Sequence, residues 1–451
     1  MIRKITVLYK MIPKAHSSCL LALLLSVSSY TISSPLGTSL TPTGANANGS
    51  SDGKIPAWIS SKEEADKRQQ TLEQDVPLFT INGSNYKEHQ QHLTQGQIAL
   101  FEQYPSTFEM PIYQSKRLHR IPEWLKEATI KNDTDAKLID DGNGITNVWP
   151  GIPFPTPDTA LEVLWNHLIA WRSISAKGTF VEATIHPEQP FYVIKTNVEI
   201  AMPYYQPDRA AVTDNIILTY YLTRILSPSR IAGGATLVHD SMNPKMGQRQ
   251  SWIYNVSQRR VRRLPFLGYD TPNMNSDDIR VVDEVNLFNG SPDRYNWELK
   301  GKKNVYIPYN SKVLAQSTKD FESLLTPHHL KTEPTRYELH RVWELEATIK
   351  QDQHHIYTQR KLYLDEDSWI ALIAEQYDHT DSLWRVSISH SQYMPELPGV
   401  MKVADVFHDL HSKSYFVQSL IEDNGRWIEF SNTLPDKSHF NPVGLRRHTT
   451  R

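Results

Sequence analysis

The chain has 451 residues, of which 39% are hydrophobic and 22% charged, and a formal net charge of -2. That balance belongs to a globular protein with apolar mass for one large domain or two moderate ones, and it excludes a disordered chain. Near-neutrality also excludes bulk polyanion binding, so no nucleic-acid partner is expected, and any surface recognition would rest on local patches.

At the N-terminus Arg3, Lys4, Lys10 and Lys14 precede an apolar run over residues 19–27. The run is too short to span a bilayer and small residues follow it, which predicts a secretory signal peptide over residues 1–33. Translation starts at Met1 or Met11, and cleavage falls near Ser33. The one cysteine, Cys19, lies inside the apolar run without a lipobox. The expected product is therefore a soluble periplasmic protein with no disulfide framework, no thiol chemistry and no membrane span.

Residues 34–157 read as an N-terminal arm with a helical extension, and residues 158–451 as a sheet domain. The arm begins with TPTGANANGSSDGKIPAWI, a Gly-, Asn- and Ser-rich stretch suited to an extended segment on the surface of a larger body. Helical spacing follows at Leu93, Ile98 and Phe101, weakened by Gly96. Pro122 opens a short helix carrying Trp124 and Leu125. The densest Gly and Pro punctuation, residues 140–157, reads as a rigid loop; its GNG has neither a preceding strand nor a following Lys-Ser/Thr, so it is not a phosphate cradle. A capping box, Thr159-x-x-Glu162, then opens the best helix, with Leu161, Leu164, Leu168 and Trp171 at helical spacing and Trp165 widening the stripe.

After Gly178 the pattern changes to strands, over residues 180–185, 191–201, 216–226 and 235–239. A hairpin of unusual composition comes next, with residues 252–256 as one strand, a turn at Ser257-Gln258, and Arg259 to Leu264 returning. Arg259 and Arg263 flank Val261 on one face, while Arg260 and Arg262 project from the other. One reading pairs these arginines with Asp270, Asp277, Asp278, Asp283 and Glu284; the other makes them a partner-docking surface.

Residues 337–349 alternate cleanly, with Arg341, Trp343 and Leu345 on one face and His340, Glu344 and Glu346 on the other. Arg341 on an inner face would require a carboxylate or a ligand headgroup. A meander follows over residues 357–364, 369–377 and 383–392, with a tight DEDS turn and Trp384 in its last strand. Asn424-Gly425 marks a further hairpin. Helices before and antiparallel strands after predict an α+β fold with a large curved sheet.

The stretches GNGITNVWPGIPFP, SWIYNVSQRRVRRLP, NLFNGSPDRYNWELKGKKNVYIPYN, RYELHRVWELEATIK and the terminal FNPVGLRR together resemble the proteobacterial family of unknown function DUF1329, across essentially the whole mature chain. The chain has Gly-Ser-Ser-Asp-Gly in the arm where an Ala-Gly-Asn-x-Asp-Gly run is common in the family, a small departure. The family is similar in fold to the LolA and LolB lipoprotein carriers. The resemblance implies an open antiparallel half-barrel, helices covering a concave face that holds an acyl chain, and an association with efflux pumps of the resistance-nodulation-division type. It implies no catalytic residues. The ligand-cavity candidates on that expectation are Trp165, Trp171, Arg341, Trp343 and Trp384, each of which also reads as an ordinary core aromatic or a buried ion pair. Gly268 to Asn275 and the loop over residues 149–157 are candidate lids.

No HExxH, GxSxG, CxxC, P-loop or EF-hand pattern is present. The pairs His328-His329 and His354-His355 are poor joint ligands on a strand, and His408 with His411 could share a helical face but lack a third ligand. Neither a metal, a cofactor nor an enzymatic activity is expected. A lipid carrier, a ligand-free scaffold of a transporter and a hydrolase assembled from distant residues are the competing readings.

Overall fold

The period-two patterns of the sequence assemble into one large sheet. The structure, a computed structural model, describes residues 34–264, 268–420 and 428–449; the predicted signal peptide and Asn424-Gly425 lie outside them. Two short strands, β1 (Phe79–Ile81) and β2 (Met110–Tyr113), come first, followed by a separate hairpin of β3 (Lys137–Ile139) and β4 (Gly144–Thr146). The first main run is β5 (Ser175–Ile185), β6 (Tyr192–Ala201), β7 (Ile217–Ser227), β8 (Ala235–Ser241), β9 (Gln250–Asn255) and β10 (Arg260–Leu264). The second is β11 (Tyr295–Pro308), β12 (Tyr337–Ile349), β13 (Gln359–Asp365), β14 (Ala371–Tyr377), β15 (Leu383–Met394), β16 (Gly399–Asp409), β17 (Ser414–Leu420) and the short β18 (Glu429–Ser431).

The two runs join through β17 and β5, giving a 16-stranded sheet in the order β1-β2-β12-β13-β14-β15-β16-β17-β5-β6-β7-β8-β9-β10, with β11 on β12 and β18 on β5. Every pairing is antiparallel except the short one between β2 and β12. The sheet stays open, with β10 at one end, and does not close into a barrel. Residues 35–451 make one compact unit.

Six helices accompany the sheet among the described residues: α1 (Lys62–Gln70), α2 (Gln95–Gln103), α3 (Glu123–Asp135), α4 (Ala160–Leu168), α5 (Lys312–Ser317) and α6 (Pro442–Thr449). The predicted capping box starts α4: Thr159 Oγ1 accepts from the Glu162 N–H and the Glu162 carboxylate accepts from the Thr159 N–H. Val163, Leu164 and Trp165 then bury into the main core with Leu345, Leu362 and Leu364. On the opposite face α2 docks where Gly96 lets the backbone approach: its N–H donates to Glu375 at 2.6 Å, and a Cβ there would stand 2.7 Å from a Val386 methyl. The residue that weakens the helix in the sequence is thus the one its docking requires. These two sides are called the α4 face and the α2 face below.

Three local expectations are corrected. The arginine strand starts at Arg260, because Arg259 occupies the left-handed region (φ 51) and closes the turn. His408 lies in β16, buried and well below its ordinary pKa through burial, so it shares no helical face with His411. β18 pairs with the start of β5 and continues along the same strand as β17, so the two do not form a hairpin.

The arm is tied to the body at one point by sheer proximity. Gly44 has φ +95, and a Cβ on it would fall 1.9 Å from the Pro155 carbonyl oxygen. Gly44→Ala should therefore cost about 2–4 kcal/mol, from the left-handed backbone and the forced displacement together. A shift in the urea midpoint measures it, and an unchanged midpoint would show that the arm does not sit against this loop.

Candidate functional site

Two buried charge networks organise the α4 face and its edges. In the first, Arg117 forks onto both oxygens of Asp367 at 2.9 and 2.7 Å and also donates to the carbonyls of Asn46 and Pro56 in the arm. Arg341 repeats the pattern, donating to Glu366 at 2.8 Å and to the carbonyls of Asn46 and Asn48. The acidic DEDS turn is therefore the socket into which the arm is clamped. Beside it His340 donates to Asp365 at 2.9 Å and lies 3.4 Å from Glu338, which also holds Arg336. Burial alone would lower the His340 pKa, but the two carboxylates dominate and push it up to about 9.

His340, Asp365 and Asp367 bring donor atoms close enough together to enclose a metal ion. Each is already engaged, however. The imidazolium faces carboxylates through both nitrogens, Asp367 is taken by Arg117, and the second oxygen of Asp365 accepts from Ser368 and Tyr309. The trio reads as an ion-pair network, not a coordination site.

The second network fixes the irregular segment after β10. Asp283 receives Arg360 at 2.8 and 2.9 Å and lies 3.3 Å from His355. Burial raises the Asp283 pKa, but Arg360 and His355 together outweigh burial and hold the carboxyl low. Glu284 accepts from the Tyr357 hydroxyl, and Arg385 donates to that hydroxyl and to Asp409.

Of the sequence-derived candidates, Trp165, Trp171 and Trp343 share the main core, and Trp384 is not part of it. Trp165 and Trp171 are almost fully buried, their indole N–H groups donating to the carbonyls of Gly142 and Pro398. Trp343 is half-buried on the same core, stacked 6.0 Å from Trp369 with Lys302 over its ring. Trp384 lies farther along the sheet, donating to Asp409 and flanked by Arg385. The loop proposed as a lid over residues 149–157 is pinned: Asn132 bonds Trp149 through both its amide atoms, and Asn166 does the same to Phe154.

The acids expected to pair with the arginine strand pair elsewhere: Asp270 with Arg294, Asp277 with His186, Asp283 with Arg360. Arg259, Arg260, Arg262 and Arg263 are all exposed, and none makes an ion pair among the described residues. Register puts Arg262 opposite Ile253 on the α4 face and Arg263 opposite Trp252 on the other.

One half of the α4 face remains open. Cross-strand register places Phe180, Ile200, Tyr221, Val238 and Ile253 together on it, all half-buried. Segment 268–281 crosses this half in place of a helix. Tyr269 lies under Arg249, and Asn275 bonds Thr184 and Glu182. Arg280, only 6% exposed, covers Phe407 and Phe416 at 5.5 and 5.9 Å. Sequence reasoning missed Arg280; its signal is a lone cation in the apolar run Ile279 to Val282.

The family described as "Protein of unknown function (DUF1329)" matches residues 80–446. The uncharacterized protein PA3922 of Pseudomonas aeruginosa is 36% identical over 431 residues, covering 92% of this chain and 93% of that protein. Among solved structures, the putative outer membrane lipoprotein-sorting protein domain of Vibrio parahaemolyticus is similar at 14% identity and TM-score 0.42, over 60% of this chain and 92% of its own. A DUF1329 protein of Desulfovibrio piger gives 15% and 0.40 over 60% and 92%, and the LolA superfamily protein NE2245 of Nitrosomonas europaea 16% and 0.37 over 63% and 98%.

Proposed function

The chain belongs to the DUF1329 family, and because that family's description assigns no activity, we propose from the geometry that it is a periplasmic binding protein or carrier for a lipid or other apolar molecule. The observation that carries this reading is the half-open apolar face of β5–β9. Tyr221 and Val238 are cross-strand neighbours there and Phe180 and Ile253 share their face, all half-buried and outside the core cluster in which α4 covers the strands around β12. A contiguous partly exposed apolar face on one side of a sheet is what an apolar ligand or partner would cover.

The chemistry is non-covalent in this reading. The buried titratable groups nearest to a catalytic constellation, around His340 and around Asp283, are consumed by ion pairs that hold the arm and the crossing segment. The exposed arginines of the edge strand are the proposed docking face for a donor or acceptor, where charge complementarity raises encounter rate more than affinity. An envelope transporter of the resistance-nodulation-division type is the partner the family resemblance suggests. No helix among the described residues is long and apolar enough to cross a membrane.

Gentle purification from the native periplasm, followed by native mass spectrometry and organic extraction, tests the reading. The expected species begins near Pro35 and carries a co-purifying apolar molecule. Preparations that never contain one would favour a ligand-free scaffold that works through the arginine edge alone.

A further inference from the structure

Among the described residues, five arginines are buried: Arg117, Arg280, Arg336, Arg360 and Arg385. Four of them hold carboxylates: Arg117 pairs with Asp367, Arg336 with Glu338 and Asp75, Arg360 with Asp283, and Arg385 with Asp409. Arg280 is the exception. Its Nε and Nη1 are buried without a hydrogen-bond partner, and it makes no ion pair, among the described residues. Its ring contacts with Phe407 and Phe416 offset only part of the desolvation of a full charge.

The surroundings show which charge is missing. Glu182, on the open half-face, is close enough for Arg280 to influence it electrostatically, yet among the described residues it forms no ion pair and instead accepts from Asn275 at 3.0 Å. Burial raises the Glu182 pKa against the pull of Arg280, which favours its neutral form. Asp405 is already filled by Lys402, Ser389 and Gln418. Arg172, at the foot of β5, is a second guanidinium without a carboxylate; it reaches only the carbonyls of His167 and Ala170 at 3.3–3.4 Å, and burial lowers its pKa to about 10. The Tyr221 hydroxyl lies in the same field, influenced by Glu182, Arg280 and Asp405. An apolar strip thus leads to a buried cation whose forked donors are free.

We propose that Arg280 anchors the headgroup of an anionic amphiphile, its guanidinium donating to a phosphate or carboxylate while the acyl chain lies along Phe180, Tyr221 and Val238. This rests on the apolar-ligand reading above and adds the charge of the ligand to it. A planar guanidinium suits either oxyanion, and a charge-assisted bond in a desolvated setting discriminates strongly against a neutral headgroup.

Phosphatidylglycerol and diacylglycerol bearing the same fluorescent acyl chain, titrated into the purified full chain, test it. Wild type should bind the phospholipid about tenfold or more tightly than the neutral lipid, as charge-assisted hydrogen bonding predicts. Arg280→Met should bind both at the neutral-lipid level and unfold at the same or a higher urea concentration, since it removes an unpaired buried charge. Arg280→Lys, which keeps the charge without the fork, should retain part of the preference and serves as the readout if the Met variant does not fold. A preference that survives Arg280→Met overturns the assignment, as does equal binding of the two lipids by wild type, which leaves the apolar-ligand reading standing. Binding of neither lipid overturns that reading itself. Displacement by oleate supports an amphiphile site that accepts either oxyanion, whereas displacement by millimolar inorganic phosphate would mark a site for free anions and overturn the proposal.

Discussion

Asp367→Ala is expected to destabilise the folded chain by about 3–5 kcal/mol, because it leaves the Arg117 guanidinium buried without its carboxylate. Arg117 is 3% and Asp367 4% exposed, so solvent screens neither. The guanidinium also holds the carbonyls of Asn46 and Pro56, and its release should loosen the arm before the sheet. Limited proteolysis should then cut within residues 46–56 at protease concentrations that leave the wild type intact. The double variant Arg117→Met with Asp367→Leu should recover most of the lost stability, since replacing a buried ion pair by apolar groups of similar volume is often neutral. A single variant that loses less than about 1 kcal/mol in urea titration would mean that the pair is solvated and the clamp lies elsewhere.

His340 carries the second large effect, one that pH reveals. Its pKa in the folded chain is about 9 against an ordinary 6.5. The folded state therefore binds the proton more tightly than the unfolded state, so the contribution is fully present below about 6.5 and is lost as pH rises through 9. The shift corresponds to on the order of 3 kcal/mol. Glu338 works in the opposite sense: burial would raise its pKa, but Arg336 and His340 hold it down to about 2, so its contribution is lost as pH falls from 4.5 through 2. Stability should accordingly decline between pH 6.5 and 9, and again below 4.5. His340→Gln should lower stability at pH 6 and flatten the alkaline decline. An alkaline profile as steep as that of the wild type would assign the titration to another group.

The sheet was largely legible in the sequence because its signals are local. Alternation from Tyr337 to Ile349 and the Thr159–Glu162 capping box depend on residues a few positions apart, and both elements stand where the pattern puts them. β16 escaped notice because its face on α2 holds Val406 and His408 while the other holds Asp405 and Phe407, so neither side is uniformly apolar. The sites were less legible for a related reason. Asp365 to Ser368 read as a tight turn, and nothing in that tetrapeptide tells that Arg117 and Arg341 will converge on it, since the partner of a buried charge can lie anywhere in the chain. Arg280 was hidden in the opposite way: its distinguishing property is the lack of a partner, which only the packed molecule reveals.

The arm's contacts also set an order of events during synthesis. Thr43 bonds the carbonyl of Asp367, 324 positions later in the chain. At about 5–20 residues per second, a ribosome would need roughly 15–65 s to produce that socket after the arm has emerged. Throughout that interval the Thr43 hydroxyl and the Asn46 N–H lack their native acceptors, the Asp367 carbonyl and the Glu366 carboxylate, and the DEDS turn of another copy could accept from them instead. Crowded expression should thus yield arm-exchanged dimers, while a chain refolded whole at low concentration closes on itself.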